Sequence, residues 1–183
     1  MKIIIASGII PPAIGGPAEY AKELSCVWRD EGHEVILLSY TIEKKLPTGI
    51  RHFVFFLKML WNIPGTKMIL ALDTVSVGFP AIFAAWLCNK KSVIRVGGDF
   101  LWESYVERTG ELVLFRDFYA TTREKWNWKE QVIFALTRFT LRSASVIAFN
   151  TLWQKEIWEK VYSLDLNKTR VLENFFPQQE AGE

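Results

Sequence analysis

The feature that most constrains the fold is a series of short, unbroken apolar runs, opening with Lys2-Ile3-Ile4-Ile5-Ala6-Ser7 and recurring along the 183 residues. Strand-like segments fall at 2–7, 34–40, 68–72, 92–96 and 145–149, with a shorter one at 170–172. Unbroken rather than alternating apolar character marks strands covered on both faces, as in a parallel sheet. Helical stretches separate them, at 17–31, 50–62, 77–89, 128–144 and 151–161. In the first, Pro17 suits the opening helical position, Ala21, Leu24 and Trp28 share one face, and Gly32 ends the helix. Strands alternating with helices at this spacing predict right-handed βαβ units and an α/β fold, a Rossmann-like doubly wound parallel sheet.

Composition narrows the function classes. With 50% hydrophobic and 23% charged residues the chain is of the globular kind, and a formal net charge of +2 is too small to imply nucleic-acid binding by bulk electrostatics. Cys26 and Cys88 lie in helical segments without metal-ligand spacing, which suggests reduced core thiols in a cytoplasmic protein. The opening apolar run is too short for a signal peptide. Residues 68–88 approach membrane-spanning length, but Asp73, Thr74, Ser76, Gly78 and Pro80 divide them into strand, turn and helix.

In an open parallel sheet, ligands gather beyond the carboxyl ends of the strands, so the loops there carry the search for a site. The first loop ends in Gly15-Gly16-Pro17, where glycine lets the backbone approach a ligand and the helix start favours an anion. A tight strand-to-helix turn would use the same residues. The chain has no G-x-x-x-x-G-K-[ST] and no G-x-G-x-x-G, which argues against a P-loop hydrolase and a dinucleotide oxidoreductase. The latter also wants an acid at the end of the second strand, where Ser39-Tyr40 stands.

Ile9-Ile10-Pro11-Pro12-Ala13-Ile14-Gly15-Gly16-Pro17-Ala18-Glu19-Tyr20, continued by Glu31-Gly32-His33-Glu34-Val35, resembles the opening of the retaining GT-B glycosyltransferases related to sucrose and glycogen synthases. Gly97-Gly98-Asp99-Phe100-Leu101-Trp102-Glu103 is similar to that family's Gly-Asp-x-x-Trp-Glu loop. Val171-Leu172-Glu173-Asn174 is similar to its segment leading into the second domain. The resemblance covers nearly the whole chain. It implies an N-terminal, acceptor-side domain over residues 1–176, a linker at 177–183, and a C-terminal donor-binding domain beyond.

The same resemblance implies transfer of a sugar from a nucleotide-sugar to an acceptor hydroxyl on a glycan, a lipid-linked or a small molecule, with no cofactor and no metal. Gly15 and Gly16 would lie against the donor diphosphate, with Glu19 and Tyr20 in the first turn of the following helix near the cleft. Asp99 sits where it would bind a sugar hydroxyl or help deprotonate the acceptor, although an Asx turn explains it equally. Phe100, Trp102 and Glu103 are candidates for the acceptor pocket. Many family members have a histidine before this aspartate; here Gly98 takes its place. His33 fits a structural strand-entry position, and Asn150 and Thr151 suit a helix cap.

Arg51-His52-Phe53-Val54-Phe55-Phe56-Leu57-Lys58-Met59-Leu60-Trp61 mixes cationic and aromatic residues. Such a helix is either buried or a peripheral contact with the inner face of a membrane. The polar stretch 121–130, with two tryptophans, reads as an exposed loop or helix start. A stand-alone nucleotide- or sugar-phosphate-binding module, or a non-catalytic partner of a glycosyltransferase, is the competing reading of the chain.

Overall fold

A computed structural model describes residues 1–173. The expected linker at 177–183, the boundary before it and Asn174 lie outside the described residues.

The apolar runs form β1 (Lys2–Ala6), β2 (Glu34–Leu38), β3 (Thr66–Ala71), β4 (Lys91–Val96), β5 (Val146–Phe149) and β6 (Thr169–Val171). All pair in parallel, in the order β2-β1-β3-β4-β5-β6. The helices are α1 (Gly16–Asp30), α2 (Thr48–Asn62), α3 (Gly78–Leu87), α4 (Phe100–Thr109), α5 (Phe115–Thr121), α6 (Trp128–Ser143) and α7 (Leu152–Tyr162). Neither α4 nor α5 is anticipated by periodicity, because each short helix buries few apolar side chains: Leu101 and Tyr105 in one, Phe115 and Phe118 in the other.

Alternate strand residues point to opposite faces. Ile4 and Ala6 enter the larger core with Phe55, Ile82, Leu141 and Trp158 from α2, α3, α6 and α7. Ile5 enters a smaller one with Ala21 of α1 and neighbouring Leu24 and Trp28. The expected doubly wound arrangement is present, with unequal layers.

Two expectations about single residues are corrected. Cys26 is exposed rather than in the core, because α1 turns Ala21 and Ser25 toward the sheet and Cys26 away from it. Of the two tryptophans in 121–130, Trp128 is exposed but Trp126 is buried, stacked on Phe118 with its indole N–H donating to Thr122 Oγ1.

Candidate functional site at the carboxyl edge of the sheet

From β1 the chain crosses to β2 on one side and returns to β3 on the other. The loops after β1 and β3 therefore diverge and leave a crevice, the topological switch point where open α/β sheets place ligands. A cleft of about 480 Å³ lies there, between Gly8 and Pro17 after β1, Tyr40 and Arg51 from the β2–α2 segment, and Asp73 and Ser76 after β3.

Asp73 builds one wall. Its Oδ1 accepts from the N–H groups of Val75, Val77 and Gly78, each at 3.1 Å, and its Oδ2 accepts from Ser76 Oγ at 2.7 Å. These contacts cap α3 from outside its first turn and stabilise its N-terminal donors. A Cβ on Gly78 would lie 1.8 Å from the Asp73 carbonyl oxygen, so only glycine lets the loop close. Tyr40 donates to the Ser76 carbonyl at 2.5 Å and fastens the β2 end to the same loop. Burial, and then the Asp73 charge, push the Tyr40 hydroxyl well above its ordinary value.

The glycine turn stands beside the cleft, which Pro17 lines. Pro17 lacks an N–H, and Ala18 donates to Gly15 O at 3.0 Å, so α1 offers fewer free donors than a helix start usually does. The Gly16 N–H has no partner among the described residues. A Cβ at Gly16 would meet nothing within 4 Å, so the turn is open there, whereas one at Gly15 would come 2.6 Å from Ile9 Cδ1. Glu19 is exposed and pairs with Lys22 at 3.2 Å, a surface contact of small worth. Tyr20 turns inward under the Arg95 guanidinium, 4.2 Å from its ring centre.

Asp99 follows β4 and is only 5% exposed. Its Oδ1 accepts from the Trp102 N–H at 3.0 Å, capping α4, while its Oδ2 accepts from Tyr119 Oη at 2.5 Å and Trp158 Nε1 at 3.1 Å. Tyr119 in turn shares a 2.8 Å hydrogen bond with Tyr162. Burial raises the Asp99 carboxyl above its usual value against the lowering effect of these donors. Sequence offered no signal for Tyr119, Trp158 and Tyr162, since only folding brings α5 and α7 to this loop.

The neighbours of Asp99 divide between core and rim. Trp102 is half-buried, its indole N–H donating to the Val113 carbonyl at 2.9 Å and its ring edge-on to Phe115. Phe100 is exposed at the rim, as is Trp153, whose ring meets Phe115. Glu103 is exposed and folds over Gly98, where a Cβ would come within 2.7 Å of Glu103 Oε1. Burial, then the Asp99 charge, raise the Glu103 carboxyl. The structure thus joins Asp99, Trp102 and Glu103 around one loop at β4, and sets Gly15 and Gly16 apart from them at the β1 end, with the Tyr20–Arg95 stack between.

His33 and His52 are half-buried; the first lies 3.4 Å from the Met1 amino group, and burial followed by the Arg51 charge lowers the second. Thr151 caps α7, accepting from the Gln154 N–H at 3.2 Å. Among the described residues no cluster of His, Cys, Asp or Glu forms a metal site, and no helix is long and apolar enough to cross a membrane.

The parallel sheet with helices on both faces and a switch-point cleft defines an α/β domain of the Rossmann-like class. No family model matches the sequence, and no curated protein matches it. Among solved structures, the chain is similar to the UDP-GlcNAc 2-epimerase from Methanocaldococcus jannaschii, with a TM-score of 0.54 at 12% identity. The match covers 93% of this chain and 45% of that one, so the chain spans less than half the length of that protein, and the likeness is one of fold.

Proposed function

We propose that the chain is the N-terminal, acceptor-side half of a GT-B glycosyltransferase that moves a sugar from a nucleotide-sugar to an acceptor hydroxyl. The observation that carries this reading is the glycine turn beside the switch-point cleft, open at Gly16. The Gly16 N–H is unpartnered among the described residues and the space where its side chain would stand is empty, a surface suited to a diphosphate held from the opposite side. The motif resemblance and a fold shared with part of a nucleotide-sugar enzyme support it.

In this reading the acceptor lies between the switch-point cleft and the rim formed by Phe100 and Glu103, and the donor is held by a C-terminal domain. Asp99 is a positioning residue: its oxygens cap the start of α4 and hold the Tyr119 hydroxyl and the Trp158 indole N–H against the loop after β4. No cofactor or metal is invoked. The outer face of α2 supports a peripheral membrane contact, because Ile50, Phe53, Leu57 and Trp61 are exposed opposite buried Phe55 and Met59, and the helix carries no acid.

The test is a hydrolysis and transfer screen with nucleotide-sugars on the protein encoded by the whole reading frame. Turnover lost in Gly16→Val is the expected result; absence of binding and turnover with every nucleotide-sugar overturns the reading. The chain of 183 residues alone is expected to bind nucleotide-sugars too weakly for calorimetry, and micromolar binding would favour the stand-alone module.

A further inference from the structure

Beyond its position, the switch-point cleft has an unbalanced charge. Arg51, in the first turn of α2, lies with its guanidinium 5.1 Å from the Tyr40 ring centre, and its Nε is buried without a hydrogen-bond partner. Lys44 is exposed on the same wall, and neither cation forms an ion pair among the described residues. The acid of the cleft, Asp73, is engaged by the α3 N-terminus. Glu43, beside Lys44, is taken by Lys58 at 3.1 Å. A guanidinium and an ammonium that face one cleft without a carboxylate partner are suited to charge-assisted bonds with an anion.

We infer that this cleft binds an anionic group, a phosphate or carboxylate, between Arg51 and Lys44. The inference rests on the transfer reading only in making that group part of the acceptor. The phosphate of a soluble sugar phosphate and that of a lipid headgroup share this chemistry, and Ile50 and Phe53, exposed on α2 on either side of Arg51, leave both sources sterically open.

Backbone-amide NMR of the 183-residue chain tests the inference, with inorganic phosphate, glucose 6-phosphate and glucose titrated separately. Phosphate and glucose 6-phosphate are expected to shift the amides of Gly8, Ile9 and Ser76 while glucose leaves them in place. Arg51→Gln should weaken phosphate roughly tenfold and Lys44→Gln several-fold, the loss of charge-assisted contacts. Lys44 is exposed, so Lys44→Gln does not put folding at stake, and unchanged phosphate affinity in it overturns the assignment. Equal shifts from glucose and glucose 6-phosphate overturn it too.

Cosedimentation with phosphatidylcholine vesicles, with and without phosphatidic acid, separates the sources. Phosphatidic-acid-dependent binding lost in Lys44→Gln supports the cleft with a lipid phosphate as its source. Phosphatidic-acid-dependent binding that survives both substitutions belongs to the outer face of α2 and overturns a lipid phosphate as the source. A protein that binds phosphate here but transfers no sugar loses the transfer reading and keeps this inference; one that transfers sugar while phosphate shifts none of these amides does the reverse.

Discussion

The Arg95 guanidinium lies 4.2 Å from the centre of the Tyr20 ring, and its Nη1 donates to the Leu172 carbonyl at 3.3 Å. One buried side chain at the end of β4 thereby ties the start of α1 to the end of β6. The glycine turn, the Asp99 loop and the exit of the described chain are held in register by this contact. Each of the two residues should depend on the other energetically. In urea unfolding, Tyr20→Ala, Arg95→Ala and the double variant are expected to show a coupling of about 1 kcal/mol; strictly additive losses would sink the claim.

Asp99→Ala removes the cap of α4 and leaves the Tyr119 hydroxyl and Trp158 indole N–H without their buried acceptor. A loss of about 3 kcal/mol follows, or a fall in Tm of roughly 6–12 °C for a chain of this size. Thermal unfolding that differs little from wild type would show that the carboxylate does not serve the fold.

Gly78→Ala is the more severe change. Its Cβ would stand 1.8 Å from backbone oxygen of Asp73, so the cap of α3 must open or the helix must shift. The expected cost exceeds about 3 kcal/mol, and soluble protein with an unaltered urea midpoint would contradict the close approach.

Gly16→Val makes the opposite case. Open space surrounds its Cβ position, so folding stability should change by less than about 1 kcal/mol, while the bulk now fills the space before the turn. Nucleotide-sugar turnover by the protein that contains this chain should fall at least tenfold, measured as donor hydrolysis. Full turnover with a folded variant would remove the turn from the site.

Burial pushes the Glu43 carboxyl up, but the N–H groups of Glu43 and Thr41, the Thr41 hydroxyl and the Lys58 ammonium outweigh it and bring it to about 2. A lowered folded value means that the stabilisation is complete above the ordinary 4.5 and disappears as pH falls toward 2. Glu43→Gln should therefore lose about 1–3 kcal/mol at neutral pH, and the gap from wild type should close in acid. A gap that stays constant through this window would exclude the linkage.

Much of the fold was legible in order along the chain. Unbroken runs such as Ile3-Ile4-Ile5 need cover on both faces whatever lies around them, and the stretch from Pro17 to Gly32 carries its own start, face and stop, so strands, main helices and parallel arrangement follow from local chemistry. The glycine turn was legible for the same reason: its meaning lies in adjacent residues.

What tertiary structure alone decided is every relationship between distant segments. Asp73 read only as a breaker until folding placed its carboxylate on the α3 amides. Asp99 looked like a group at an open edge, and α5 and α7 buried it under Tyr119 and Trp158. The helix around Phe55 is amphipathic in sequence, yet its apolar pattern does not say which side meets the sheet; packing of α2 against α3 left Phe53, Leu57 and Trp61 outside. Arg51 and Lys44 became neighbours of one cleft because strand order puts β1 between β2 and β3. Local sequence fixes backbone preference and apolar patterning, whereas exposure, charge pairing and the shape of a cleft are set by which elements meet, and that is a property of the whole packed sheet.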